Sequence, residues 1–280
     1  MPSTISEWGQ FQVAFRYQLR SYLRTWRFVG LLIFVVLISV AILAVQLHRG
    51  VDLVTANNPT SRDFLSSYLS FMEDAIIIVA AFLGGDALAV DLSGGPGYLM
   101  LAQPVRRRTL LAGRYCAAAV TGMTIGLVYY AFSAVAVQYF YGNVPVAIFA
   151  SIGEAALFLL AVLAVAFFFS SFFRSPAIAI VAALLILIIA FPLLTAIGTL
   201  TGAEPWYSLD YGSQAITSTL TTNFTHEIVR HVGGGGPRMV TITIYAFSPY
   251  PWEGALIMGV YLVAFLVASY VIYRFKEVRG

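Results

Sequence analysis

The chain has 280 residues, of which 60% are hydrophobic and 10% charged, with a formal net charge of +3 and a mean hydropathy of +0.84. That balance leaves too few polar side chains to cover a surface in water, so an ordinary globular enzyme is excluded and an integral membrane protein is expected. Cys116 is the only cysteine, which rules out a disulfide within the chain and, in an apolar run, reads as a packing residue.

Taken in chain order, the first predicted element is a helix over 4–27. Trp8, Phe11, Phe15, Leu19, Tyr22 and Trp26 recur at helical spacing within a stripe of about 80°. Arg16, Arg20, Arg24 and Arg27 lie on the adjacent flank. Such a helix is expected to lie in the headgroup layer, with rings at the interface and arginines toward phosphates. Crossing roughly 30 Å of hydrocarbon takes about 20 apolar residues. Six runs meet that need, at 28–47, 71–90, 110–140, 152–173, 177–200 and 255–273. The third is long enough that it must tilt or protrude. The first begins too far from the N-terminus for a cleaved signal peptide and is expected to stay as an anchor.

Between the second and third runs lies DALAVDLSGGPGYLMLAQPVRRRTLLAGR, residues 86–114. An apolar segment breaks at a Gly/Pro cluster, passes a short amphipathic piece, meets an arginine run and becomes apolar again. The order Asp91, Gly95 with Pro96, Leu99 and Leu101, Pro104 with Arg107, and Gly113 with Arg114 resembles the loop between the second and third membrane helices of ABC-2 type transporter permeases. There an acidic residue is followed by Gly-Thr, a leucine-rich turn, Pro-x-x-Arg and Gly-Lys. The spacings agree without a gap, while Asp91, Pro96 and Arg114 stand where Glu, Thr and Lys are usual.

The resemblance implies an all-α membrane protein with the six-helix ABC-2 (type V exporter-like) fold, preceded by the interfacial helix. It implies a dimer of permeases, from two copies or from this chain and a close relative, docked on two separate ABC ATPase subunits. Residues Asp91, Gly95, Pro96, Pro104, Arg107, Gly113 and Arg114 are then expected to form the ATPase coupling element. The interfacial helix, with Trp8, Phe15, Arg16, Arg20 and Arg24, is expected to carry part of the docking surface. The resemblance favours export; because six spans are half of the usual twelve-helix core, the path is expected between the subunits, lined by the first, second and fifth spans, and the high aromatic content suits a hydrophobic or amphiphilic substrate. It also implies short helices between the last two spans that re-enter the outer leaflet. Lipid is an expected partner and nucleic acid is not.

A nucleotide-hydrolysing P-loop needs a lysine after GxxxxG to reach the phosphates, and the single lysine is Lys276. The chain is therefore expected to hold no cofactor, with ATP and magnesium on the partner. An enzyme working at membrane depth would need clustered His, Glu or Cys there, and no histidine lies in any apolar run. A carrier or channel working without ATP stays open as the alternative; its usual sign is a broken span near the midplane, and Pro192 in the fifth run is the one such proline.

Orientation follows from basic residues in short loops, which stay on the cytoplasmic side. Placing both termini inside puts twelve of the sixteen there, leaving Arg49, Arg62, Arg230 and Arg238 outside. The 201–254 segment is then a large outer loop, with aromatics suited to the leaflet surface and glycines 233–236 as a joint.

Several residues have plain structural readings. His226, Glu227 and His231 echo a zinc-protease pattern, but five apart on a helix the histidines point about 140° away from each other. They read as a solvated helix face without a metal. Glu154 is expected to sit at the start of the fourth span, where a carboxylate suits a helix N-terminus, and Glu73 with Asp74 to do so at the second. Asp86 is costly near hydrocarbon unless paired, and an arginine of the same layer is the expected partner. Asn223 begins an NFT glycosylation pattern.

Overall fold

A computed structural model describes residues 7–92, 107–221, 224–232 and 242–275. Among these, six helices are long and apolar enough to cross a membrane: Trp26–Arg49, Ser61–Gly84, Arg107–Tyr141, Ile148–Phe172, Pro176–Thr201 and Pro251–Phe275. We number them as spans one to six. They are preceded by helix α1, Glu7–Arg24, separated from the first span by Thr25 alone.

Connectivity gives the bundle two ends. The basic end holds α1 and the junctions between spans two and three and between spans four and five. The hairpin end holds the remaining connections. Spans two and four form the centre, with 61% and 67% of their apolar stretches buried, against 17%, 22% and 17% for spans one, five and six. The sixth span packs along the fourth, where Phe168 meets Phe265 edge-on at 5.3 Å and Ser269 Oγ donates to the Phe167 carbonyl at 3.2 Å. α1 packs along the third span.

The second span begins ten residues before its apolar run. Thr60 caps it: Oγ1 accepts from the Asp63 N–H at 3.2 Å and donates to the Asp63 carboxylate at 2.7 Å. Each side chain thus serves the other across the first turn, an arrangement that fixes a helix start whatever the hydropathy. The helix breaks at Ser70–Phe71 and restarts at Met72, with Glu73 and Asp74 in the new first turn. Their helix-start reading holds, but at a restart inside the span.

Glu154 requires a correction. The fourth span starts at Ile148, where the Pro145 carbonyl accepts from its N–H at 3.0 Å. Glu154 therefore lies in the second turn, beyond the helix-end donors, and among the described residues its Oε2 is buried without a hydrogen-bond partner. In the fifth span Pro192 has no N–H to give the preceding turn, and the backbone widens into a π-helical turn at Ile186–Ala190.

The segment after the fifth span contains two short helices, Leu209–Ser213 and Ala215–Ser218, as the resemblance implies. It also holds an antiparallel hairpin of β1, Glu227–Val232, and β2, Ile242–Phe247, with Val229 opposite Tyr245. The helical reading of HEIVRH is thus wrong. β1 carries the β-branched residues Ile228, Val229 and Val232 and β2 carries Ile242, Thr243 and Ile244, and such residues favour strand pairing over a helix. Glycines 233–236 and Asn223 lie outside the described residues.

Candidate functional site

The end of the second span is where most elements converge. A helix C-terminus leaves carbonyls without intrahelical partners, and here the helix end at Gly84 and the turn that follows it are met by side chains from different parts of the fold. The Leu83 carbonyl accepts from the Tyr22 hydroxyl of α1 at 2.7 Å. Burial pushes that hydroxyl up to about 12, so it remains a donor throughout the physiological range. The Ala87 carbonyl accepts from Arg114 Nη1 of the third span at 2.6 Å. Ser170 Oγ of the fourth span accepts from the Leu88 and Ala89 N–H groups at 2.8 and 3.0 Å.

Asp86, only 7% exposed, pairs with Arg27 at the start of the first span. The expectation of an arginine partner in the same layer is met. The root of the 86–114 segment is therefore gripped by α1 and by spans one, three and four.

α1 and the third span form the second part of the site. Arg108 Nη2 donates to both oxygens of Glu7, at 2.6 and 2.8 Å. At Gly113 the two helices touch. A Cβ there would stand 2.9 Å from the Ala14 Cβ and 3.1 Å from the Phe15 nitrogen, so only glycine fits without a shift. Phe15 and Leu19 pack on the core and Tyr22 is buried, whereas Arg16, Arg20 and Arg24 are exposed. Much of the aromatic stripe thus faces the protein; Trp8, at 67% exposure, and Trp26, at 86%, stay open.

Arg107 opens the third span and reaches the far end of the sixth. Its Nη1 donates to the Tyr273 and Arg274 carbonyls at 2.9 and 3.0 Å, and its guanidinium lies 5.9 Å from the Tyr273 ring centroid. A cation on the last carbonyls of a helix satisfies them and meets the negative end of its dipole.

Of the remaining residues singled out from the sequence, Asp91 lies in the short helix Ala89–Leu92, while Gly95, Pro96 and Pro104 lie outside the described residues. Ser170 and Glu7 were not anticipated. Ser170 left a signal, as a hydroxyl in the run FFFSSFF, since polar atoms at membrane depth need partners. Glu7 left none.

Leucine at Gly113 is expected to push α1 off the third span. Overpacking of this kind costs about 1–3 kcal/mol. The loss should appear as reduced monodisperse yield in detergent and a lower unfolding temperature, with alanine intermediate. Unchanged stability of Gly113→Leu would show that the α1 contact does not support the fold.

Six apolar helices, the second and fourth of them buried at the centre, with no P-loop lysine, define a multi-pass transmembrane subunit without its own ATP-hydrolysing motif. A sequence profile described as "ABC-2 family transporter protein" matches residues 14–278, and the chain belongs to that family. No curated protein matches the chain.

Proposed function

We propose that the chain is the permease half of an ATP-driven exporter, in which two permease copies, or this chain and a close relative, stand on two separate ATPase subunits. The observation that carries this reading is the convergence at the end of the second span. Tyr22, Arg27, Arg114 and Ser170 attach one short stretch of chain, residues 83–89, to four elements, so a force applied to the 93–106 segment would move several spans together. ATP and magnesium would sit on the ATPase chains, with no cofactor in this one. The exposed flank of Arg16, Arg20 and Arg24 would share the docking surface with the coupling loop.

The largely uncovered first and fifth spans are suited to face the second permease, with the substrate path between the copies. Residues such as Ile33, Leu37, Leu193 and Ile197, all exposed, would offer an apolar lining suited to a hydrophobic or amphiphilic substrate. The direction of transport follows from family resemblance.

Coexpression tests the reading. The purified chain alone should hydrolyse no ATP, whereas coexpression with a cognate ABC ATPase should yield a stable complex that does. Transport in vesicles at full rate without ATP would replace this reading with the carrier alternative, and hydrolysis by the isolated chain would overturn the assignment of the ATPase to a separate subunit.

Orientation has its own test. In a Cys116→Ala background, Ser175→Cys should react with an impermeant thiol reagent only from the cytoplasm, and Asn57→Cys only from outside. The excess of arginines at the basic end motivates that assignment. Labelling of Asn57→Cys from the cytoplasm would overturn both the topology and the docking face.

A further inference from the structure

We infer that Glu204, His226 and Glu253 form a binding site for one divalent transition-metal ion, with zinc as the best fit, at the base of the β-hairpin. The three residues come from the loop after the fifth span, the approach to β1 and the first turn of the sixth span. One ligand atom from each lies within 4.8 Å of the others, and all three residues are half-buried. In sequence they are 22 and 27 positions apart, so no spacing motif announces them.

The orientation of each group suits a cation. His226 Nδ1 lies 2.9 Å from the Ser248 carbonyl. A carbonyl only accepts, so Nδ1 carries a hydrogen, which in the neutral ring leaves the lone pair at Nε2. That lone pair is directed to the cluster, where Nε2 is 3.7 Å from Glu204 Oε2. The separation is too long for a hydrogen bond. It is close to the roughly 3.3 Å expected between two ligands bound at about 2.0 Å to a tetrahedral ion.

The other side chains are held from behind. Tyr211 donates to Glu204 Oε1 at 2.7 Å, the Tyr250 N–H donates to Glu253 Oε2 at 2.9 Å, and the Tyr250 ring stacks on His226 with centroids 5.0 Å apart. Outer partners of this kind orient metal ligands and fix the histidine tautomer. The donor set of one imidazole and two carboxylates is borderline in softness, which favours zinc-class ions over calcium or magnesium. A bound ion would tie the hairpin to the facing ends of spans five and six.

The test uses the full chain in detergent, stripped with a chelator and titrated with zinc by calorimetry. One equivalent should bind at micromolar concentration or tighter, and calcium at least about tenfold more weakly. His226→Gln and Glu204→Gln should each weaken zinc by about tenfold or more, while His48→Gln, at the end of the first span, should not. Zinc should also raise the unfolding temperature of the wild-type chain, and the rise should vanish in the two variants. The inference is overturned if the wild-type chain takes up no zinc below millimolar concentration, if calcium binds as tightly, or if both variants bind as wild type does. The wild-type titration decides the first two outcomes even where a variant does not fold.

Discussion

Arg27→Ala is expected to damage the fold more than Asp86→Asn, although the two residues belong to one ion pair. Asp86 is buried with its side chain 10% exposed, whereas the Arg27 side chain is 58% exposed. Removing the arginine leaves a carboxylate with little access to water. Neutralising the aspartate only releases a guanidinium that turns outward to water or headgroups. Breaking a fully buried pair from one side costs about 3–5 kcal/mol, and the exposure of Arg27 lowers the expectation here to about 2 kcal/mol. A change of that size shifts the folded-to-unfolded ratio by roughly thirtyfold.

Thermal unfolding of the purified chain should therefore rank wild type, Asp86→Asn and Arg27→Ala in falling order. The double variant should recover most of the loss, because no buried charge is left unpaired. Equal destabilisation by both single variants would mean that Asp86 draws its stability from something other than Arg27.

Arg107→Glu is expected to abolish most transport while leaving membrane insertion intact. Insertion depends on the summed positive charge of the short loops, most of which remains. Two mechanisms predict the loss, and they separate experimentally. A glutamate would place negative charge on the Tyr273 and Arg274 carbonyls, at the negative end of the sixth span. If Arg107 acts through that contact, the complex with the ATPase should still assemble and hydrolyse ATP, but transport should fall by about tenfold or more, uncoupled from hydrolysis. If Arg107 is instead part of the docking face, an adverse charge at an interface costs several kcal/mol, and assembly itself should fail. Arg107→Gln, which retains an amide N–H donor group without the charge, should lie between wild type and Arg107→Glu in either case. Full transport by Arg107→Glu would reduce the residue to a topology signal.

The parts of the molecule legible in the sequence are those set by local pattern. The six spans, the helix before them and the need of Asp86 for an arginine all follow from hydropathy, helical spacing and the cost of charge at membrane depth. The errors have local causes too. The second span starts at Ser61 because Thr60 and Asp63 cap it, a signal in the residues TSRD that a search for apolar runs passes over. A helical reading of HEIVRH fails because β2 begins ten residues past the end of β1, and strand pairing is visible only from both sides. The apolar run puts Glu154 at a helix start, but the helix begins at Ile148, four residues before that run, where the backbone turns at Pro145.

The sequence by itself determined that this chain spans a membrane six times, carries the ABC-2 loop pattern between spans two and three, and lacks the lysine of a P-loop. Each of these is a property of composition or of residues close along the chain. Only the tertiary structure decided that Tyr22, Arg27, Arg114 and Ser170 meet at one helix end, that Gly113 is the seat of α1, that Arg107 closes on the sixth span, and that Glu204, His226 and Glu253 stand together. Hydrophobic periodicity fixes which segments enter a bilayer. It leaves the rotation and neighbours of each helix open, because lipid and protein offer the same apolar surroundings to a leucine. The few polar side chains settle that choice, since each must find its partner within the bundle.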